Sequence, residues 1–196
     1  MARAGQAPDR ILVPETMSAL AAFCSDRNAL LTALRQLIAR QPASTGIVCL
    51  GAHMLHGLDA CAAGWELADR FMEDESGEIA ESVAYGEAGG TEVIDSLASG
   101  PGQVLCPAGT LAWIKSGRTK GRSIVVVTPF GSRLPAKLWK AYLARNGIDG
   151  AGDQERSGLP ELVDLDRFDD LIDADGVKPR DEWVADCPDV AELARG

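Results

Sequence analysis

The sequence predicts a layered α/β fold. A mostly parallel, Rossmann-like sheet forms the middle of three layers, with a helical cap at the N-terminus and an acidic extension at the C-terminus. Two observations carry this expectation. In the middle of the chain an apolar run, a glycine-bearing loop and a helical pattern follow one another three times. Strands alternating with helices are the pattern of right-handed crossovers in a parallel sheet. One of the runs, "SIVVVT" at 123–128, shows no polar alternation, as expected of a strand covered on both faces. The expected organisation is a mobile stretch at 1–10, a single α/β domain at 11–176 and a surface extension at 177–196.

Each element has its own signal. From Glu15 to Gln41 the pattern is helical and interrupted near "CSDRN". Leu30, Leu34, Leu37 and Ile38 recur at steps of three and four, and Pro42 ends the segment. The first repeat reads as a strand "GIVCL" (46–50), a loop "GAHMLHG" (51–57) and a helix to Met72. Met54, Leu58, Cys61, Trp65, Ala68 and Met72 would form its apolar stripe. "MEDESGEIAES" (72–82) reads as an acidic, solvated connection, and "AGGTEVIDSLASGPG" fits either a short helix or a strand and turn. The second repeat is "QVLC", "PAGT" and "LAWIKSG". The third is "SIVVVT", "PFGSRLP" and "AKLWKAYLARN", with Gly147 as C-terminal cap. A fourth unit pairs a strand "ELVDL" with a helix "DRFDDLIDA" capped by Asp166. Beyond Cys187 the chain is expected to wrap loosely over the surface.

Composition narrows the function classes. Apolar residues make up 46% and charged residues 24% of the 196, as in a soluble globular protein. No apolar run approaches the roughly 20 residues that cross a bilayer, and no apolar segment follows "MARAGQAPDR" as in a secretory signal. Five cysteines, an odd number without CxxC spacing, suggest reduced, mostly buried thiols and a cytoplasmic location. The net charge of −10 is uneven. Residues 149–196 hold fifteen acids and five bases, while 96–148 hold eight bases and no acid. The basic middle and the acidic tail either neutralise each other within the fold or leave an anion-binding face.

The candidate site follows from the loops. Strands of one parallel sheet would deliver "GAHMLHG", "PAGT" and "PFGSR" to the carboxyl edge, where α/β sheets bind ligands. Loop–helix junctions there present free N–H groups. Gly109, Thr110, Thr128, Ser132 and Arg133 would hold an anion, the guanidinium suiting phosphate. His53 or His56 would act as acid–base or polar partner, and both are the catalytic candidates. The leading expectation is a cytoplasmic protein that binds a phosphorylated small molecule or nucleotide. Neither GxGxxG nor GxxxxGK[ST] occurs, and no cofactor follows from the residues. Cys61 reads as core and not as a nucleophile.

Two other readings stand beside this one. The first is a non-enzymatic module docking a protein or a nucleic-acid machine through its basic middle or acidic tail. Trp113, Trp139 and Tyr142 sit at core-like helical spacing, which weakens the nucleic-acid version. The second is a metal-dependent hydrolase or nuclease-like enzyme using His53, His56 and Asp59, or the carboxylates Asp164 and Asp166.

Two partial resemblances fit the α/β pattern. "VLCPAGTLAWIKSG", "SIVVVTPFG" and "ELVDLDRFDDLI" resemble the later half of lysine-decarboxylase-like nucleotide phosphoribohydrolases. Their Pro-Gly-Gly-x-Gly-Thr loop is here Pro107-Ala108-Gly109-Thr110, and an apolar or aromatic residue near Trp113 stands where that family has its catalytic acid. "KGRSIVVVTPFGSRLPAKLWKAYLARNGI" with "LVDLDRFDDLI" is similar to the closing part of Mrr-type restriction endonuclease domains. Asp95 matches their Asp, but "QVLCPAG" supplies no lysine. Each resemblance covers under half of the chain and implies shared architecture.

Overall fold

The computed structural model describes residues 8–86, 90–148 and 159–194. The chain divides into two compact units. One, helical, takes residues 1–73, 134–149 and 185–196; the other, which holds the strands found among the described residues, takes 74–133 and 150–184. The fold is mixed α/β with a mostly parallel four-stranded sheet.

The helical unit contains α1 (Asp9–Leu20), α2 (Arg27–Arg40), α3 (Thr45–His56) and α4 (Ala60–Met72). The α2 helix begins at Asp26, whose carboxylate accepts from the N–H groups of Asn28 and Ala29, and buries Leu30, Leu34 and Ile38 as the spacing predicts. Of the stretch expected to be mobile, residues 1–7 lie outside the described residues. Asp9 opens α1, and its carboxylate accepts from Ser44 Oγ at 2.7 Å and Gly46 N at 2.8 Å.

The largest correction concerns "GIVCL" and "GAHMLHG", which together form α3. Ser44 caps this helix by accepting from Ile47 N at 3.1 Å. Every residue from Thr45 to Ala52 is buried, so the helix is apolar all round and its sequence lacks the period that separates a buried helix from a buried strand. Gly57 breaks the path to Met72, and Asp59 caps α4 separately through Cys61 N and Ala62 N. The α4 helix turns Gly64, Leu67, Ala68 and Phe71 inward. Leu58, Trp65 and Met72 of the expected stripe are exposed, and Cys61 is half-buried.

The second unit is built on β4 (Ser123–Val127). It lies parallel to β1 (Thr91–Asp95) on one side and β6 (Asp170–Asp173) on the other, and β7 (Gly176–Pro179) completes the sheet antiparallel to β6. Ile124 and Val126 face a core containing Ile114, Val163, Phe168 and Leu171. Val125 and Val127 face the opposite way, against Ala80, Ile79 and Val83 of α5 (Ser76–Gly86). That two-sided burial is what the unalternated "IVVV" predicts.

Four further expectations are corrected here. "QVLC" is a strand, β3 (Gln103–Cys106), but it belongs to a separate antiparallel sheet with β2 (Ala98–Gly100) and β5 (Glu161–Asp164). "DRFDDLIDA" is a 3-10 turn followed by β6, and Asp166 caps no helix. Part of the "solvated" 72–82 connection is α5. The helices α6 (Thr110–Thr119) and α7 (Ala136–Arg145) form as expected, with Gly147 at φ +66° after α7. The C-terminal stretch does not lie loosely: Cys187, Val190 and Leu193 are buried, and α8 (Ala191–Ala194) packs on α7 and α2.

Candidate functional site

The carboxyl ends of β1, β4 and β6 form a rim built from short polar side chains. After β1, Ser96 donates its N–H to Val127 O at 3.1 Å. After β4, Thr128 is fully buried and donates both N–H (2.8 Å) and hydroxyl (3.2 Å) to Ile172 O. The chain then turns through Pro129-Phe130-Gly131, where Phe130 N donates to the Asp74 carboxylate at 3.1 Å. Gly131 takes φ +80°, a left-handed conformation suited to glycine. Ser132 and Arg133 follow; Ser132 O accepts from Ser99 N at 2.8 Å, and Arg133 bridges to Ser99.

At the end of β6 stands Asp173, 1% exposed. It accepts from Arg133 Nη1 at 2.7 Å, from Lys178 Nζ at 3.0 Å and from Asp175 N at 2.9 Å. Burial pushes the Asp173 carboxyl upward, but the hydrogen bonds from Lys178, Asp175 N–H and Arg133 outweigh it and hold the group below the ordinary carboxylate range. Lys178 also bridges to Asp175 at 2.8 Å. The rim is thus polar and balanced in charge. Within it, Ser96 Oγ and Ser132 Oγ are buried and have no hydrogen-bond partner. Buried hydroxyls are nearly always paired, so these two stand out against the satisfied groups around them.

The structure brings Thr128, Ser132 and Arg133 together and treats the other expected residues differently. Gly109, at φ +88°, and Thr110 open α6 from β3, in the antiparallel sheet. Their anion-holding capacity is already used: the Glu161 carboxylate of β5 accepts from Gly109 N at 2.9 Å and Leu111 N at 2.8 Å. Thr110 Oγ1 donates to Pro107 O at 2.7 Å. Beside them, burial, with the Glu161 charge adding to it, pushes the Cys106 thiol up to about 12, so it stays protonated at neutral pH.

His53 and His56 lie within α3 of the helical unit, and among the described residues no strand precedes them. His53 Nε2 is 3.0 Å from Asp186 O, and His53 lines a small cleft of about 80 Å³ with Ala63, Glu66, Leu67 and Arg70. His56 is exposed. With Asp59 occupied as a cap, the proposed metal trio does not assemble, and among the described residues no three His, Cys, Asp or Glu side chains form a metal-holding group.

Half of the eight bases in the basic middle pair with acids. Arg118 pairs with Asp169, Arg122 with Glu92, Arg133 with Asp173 and Lys137 with Asp189. Three of those four acids come from the acid-rich final segment. No described helix is long and apolar enough to cross a membrane.

Sequence reasoning missed Ser96, Asp173 and Lys178. Asp173 and Lys178 had a signal: in "LIDADGVK" an Asp-Gly step lies between the apolar pair Leu171-Ile172 and Val177, a hairpin pattern. Ser96 had none, because its burial comes from residues distant in sequence.

No protein-family model matches the chain, and no curated protein matches it by sequence. Among solved structures, the crystal structure of eIF2B beta from Chaetomium thermophilum is similar over 89% of this chain and 82% of that one, with a TM-score of 0.58 at 8% identity. This likeness concerns the fold alone.

Proposed function

We propose that the rim of Ser96, Thr128, Ser132, Arg133 and Asp173 binds a phosphorylated small molecule or nucleotide in the cytoplasm. The observation that carries this reading is the pair of buried, unpartnered hydroxyls, Ser96 Oγ and Ser132 Oγ, on the rim that also holds a buried ion pair. The hydroxyls donate to phosphate oxygens, the Arg133 guanidinium supplies the matching charge, and the Asp173 carboxylate accepts from ligand hydroxyl or amino groups. Its position supports the same reading, since open α/β sheets take ligands beyond the carboxyl ends of their strands. Five cysteines without a disulfide suit a reducing compartment.

The experiment is calorimetric titration with inorganic phosphate and with nucleoside monophosphates. Binding is expected for the wild-type protein, weakened roughly tenfold in Ser132→Ala by the loss of about one hydrogen bond. Arg133→Lys keeps the charge, loses the planar fork and weakens binding further. A flat titration, or a Ser96→Ala/Ser132→Ala double variant with wild-type affinity, overturns the proposal.

A further inference from the structure

The helical unit carries a cation that no described acid neutralises. Arg145 stands in the last turn of α7 and is half-buried. Its Nη1 donates to Leu193 O of α8 at 3.4 Å, the long end of a hydrogen bond. Its Nε and Nη2 are shut off from water and have no hydrogen-bond partner. The nearby acids of the C-terminal segment serve other cations: Glu192 lies 3.3 Å from Arg27, and Asp189 lies 3.5 Å from Lys137. Earlier on the same helix, Trp139 is 5% exposed, and its Nε1 likewise has no partner. Tyr142 stands between the two, its ring stacked on that of Trp139 at 5.9 Å, so the three follow one ridge of α7. Among the described residues of the helical unit, the orphaned buried side-chain atoms all lie on this ridge, and all are N–H donors. Only an acceptor satisfies them.

We propose that the Nε–Nη2 edge of Arg145 binds the carboxylate of a small organic acid. These two nitrogens form one side of the planar guanidinium, from which two parallel N–H bonds meet the two oxygens of a carboxylate. Charge selects carboxylate over phosphate. One half-buried guanidinium balances one carboxylate. A phosphate brings further negative charge and a third oxygen for which this edge has no donor, and burying either without a partner costs free energy.

The surroundings agree with a site that is closed until it is filled. Burial holds the Arg145 guanidinium below its ordinary value, against a smaller upward pull from Tyr142, yet the group stays cationic at neutral pH. A carboxylate beside it relieves that cost. The long bond to Leu193 O is the contact an entering acid displaces, and α8, only four residues long and packed on α7, is the cover that shifts. An unpaired charge away from water lowers stability, and an apolar side chain of similar volume would serve the fold better. A binding role explains why the guanidinium stands there.

The test reads the Arg145 Nε–H resonance of the full chain by heteronuclear NMR, assigned by its absence in Arg145→Met. The probes are sodium acetate, sodium chloride at the same ionic strength, and sodium phosphate. Acetate is expected to move the resonance downfield to saturation, chloride to leave it in place, and phosphate to act roughly tenfold more weakly. The resonance reports on this residue, so phosphate held at the Arg133 rim is not mistaken for binding here. Without acetate, Arg145→Met should melt above wild type, because it removes an uncompensated charge. Acetate should raise the thermal midpoint of wild type but not of Arg145→Met, nor of Arg145→Lys, which keeps the charge and lacks the planar edge. No saturable shift, the same shift in chloride, or phosphate as tight as acetate overturns the proposal. So does an Arg145→Met variant that melts below wild type, since the guanidinium would then be a fastening of α8 and not a binding group.

Discussion

Replacing Glu161 with alanine removes two charge-assisted acceptors at once, those holding Gly109 N at 2.9 Å and Leu111 N at 2.8 Å. The carboxylate comes from β5 and closes the first turn of α6, so it acts as a cap supplied from another strand. Loss of an ordinary N-cap costs about 0.5–2 kcal/mol, and a charge near a helix N-terminus adds about 0.3–1 kcal/mol. Gly109 N is solvent-exposed, so water recovers part of this, and a loss of about 1.5 kcal/mol is expected. For a chain of this size that lowers the thermal midpoint by about 3–6 °C. Urea denaturation with unchanged slope and calorimetry measure it, and Glu161→Gln, which keeps one acceptor, should fall between. The same substitution exposes the anion-holding N–H groups. Phosphate or sulfate should therefore stabilise Glu161→Ala more than wild type, by about 1.4 kcal/mol at tenfold the dissociation constant. Wild-type stability in the alanine variant, together with no extra response to anions, would refute the capping role and with it the reason for setting Gly109 and Thr110 aside.

Two more substitutions probe other elements. Asp173 has a folded pKa held below its unfolded value near 3.9, so its stabilisation is fully present above about pH 4 and is lost as pH falls through the lower folded value. Asp173→Asn should lower stability at pH 7 by roughly 3 kcal/mol and flatten the acid limb of the stability–pH curve; an unchanged limb argues against the pairing. In Gly64→Ala the new Cβ would stand 2.3 Å from Met17 Sδ and 3.1 Å from Met54 Cγ. Overpacking of about 1–3 kcal/mol should outweigh the helix-propensity gain of about 1 kcal/mol. A stabilised variant in urea denaturation would mean that α1 and α4 pack less closely than described.

What could be read in advance had a local cause. Period and caps sufficed for α2, with Leu30, Leu34 and Ile38 inward and Pro42 beyond its end. The absence of polar alternation sufficed for β4. The errors came where local signals are silent or were passed over. "GIVCLGAHMLH" is apolar on every face, so only the cap at Ser44 distinguished helix from strand. "DRFDDLIDA" reads as a helix capped by Asp166, although the Asp-Gly step at 175–176 that follows it marks a hairpin. Once "GIVCL" became a helix, the two histidines lost the sheet edge that had made them candidates.

The sequence by itself determined a chain that alternates strands with helices, buries "IVVV" on two faces and turns at glycines after its strands, because these depend on side-chain period and backbone freedom within a few residues. Only the tertiary structure decided which strands share a sheet, that Glu161 fills the α6 terminus, and that Ser96 and Ser132 lie buried without partners on the rim of Arg133 and Asp173. Each of these joins residues tens of positions apart. Their pairing is set by the burial and hydrogen bonding of the whole unit, which no local pattern encodes.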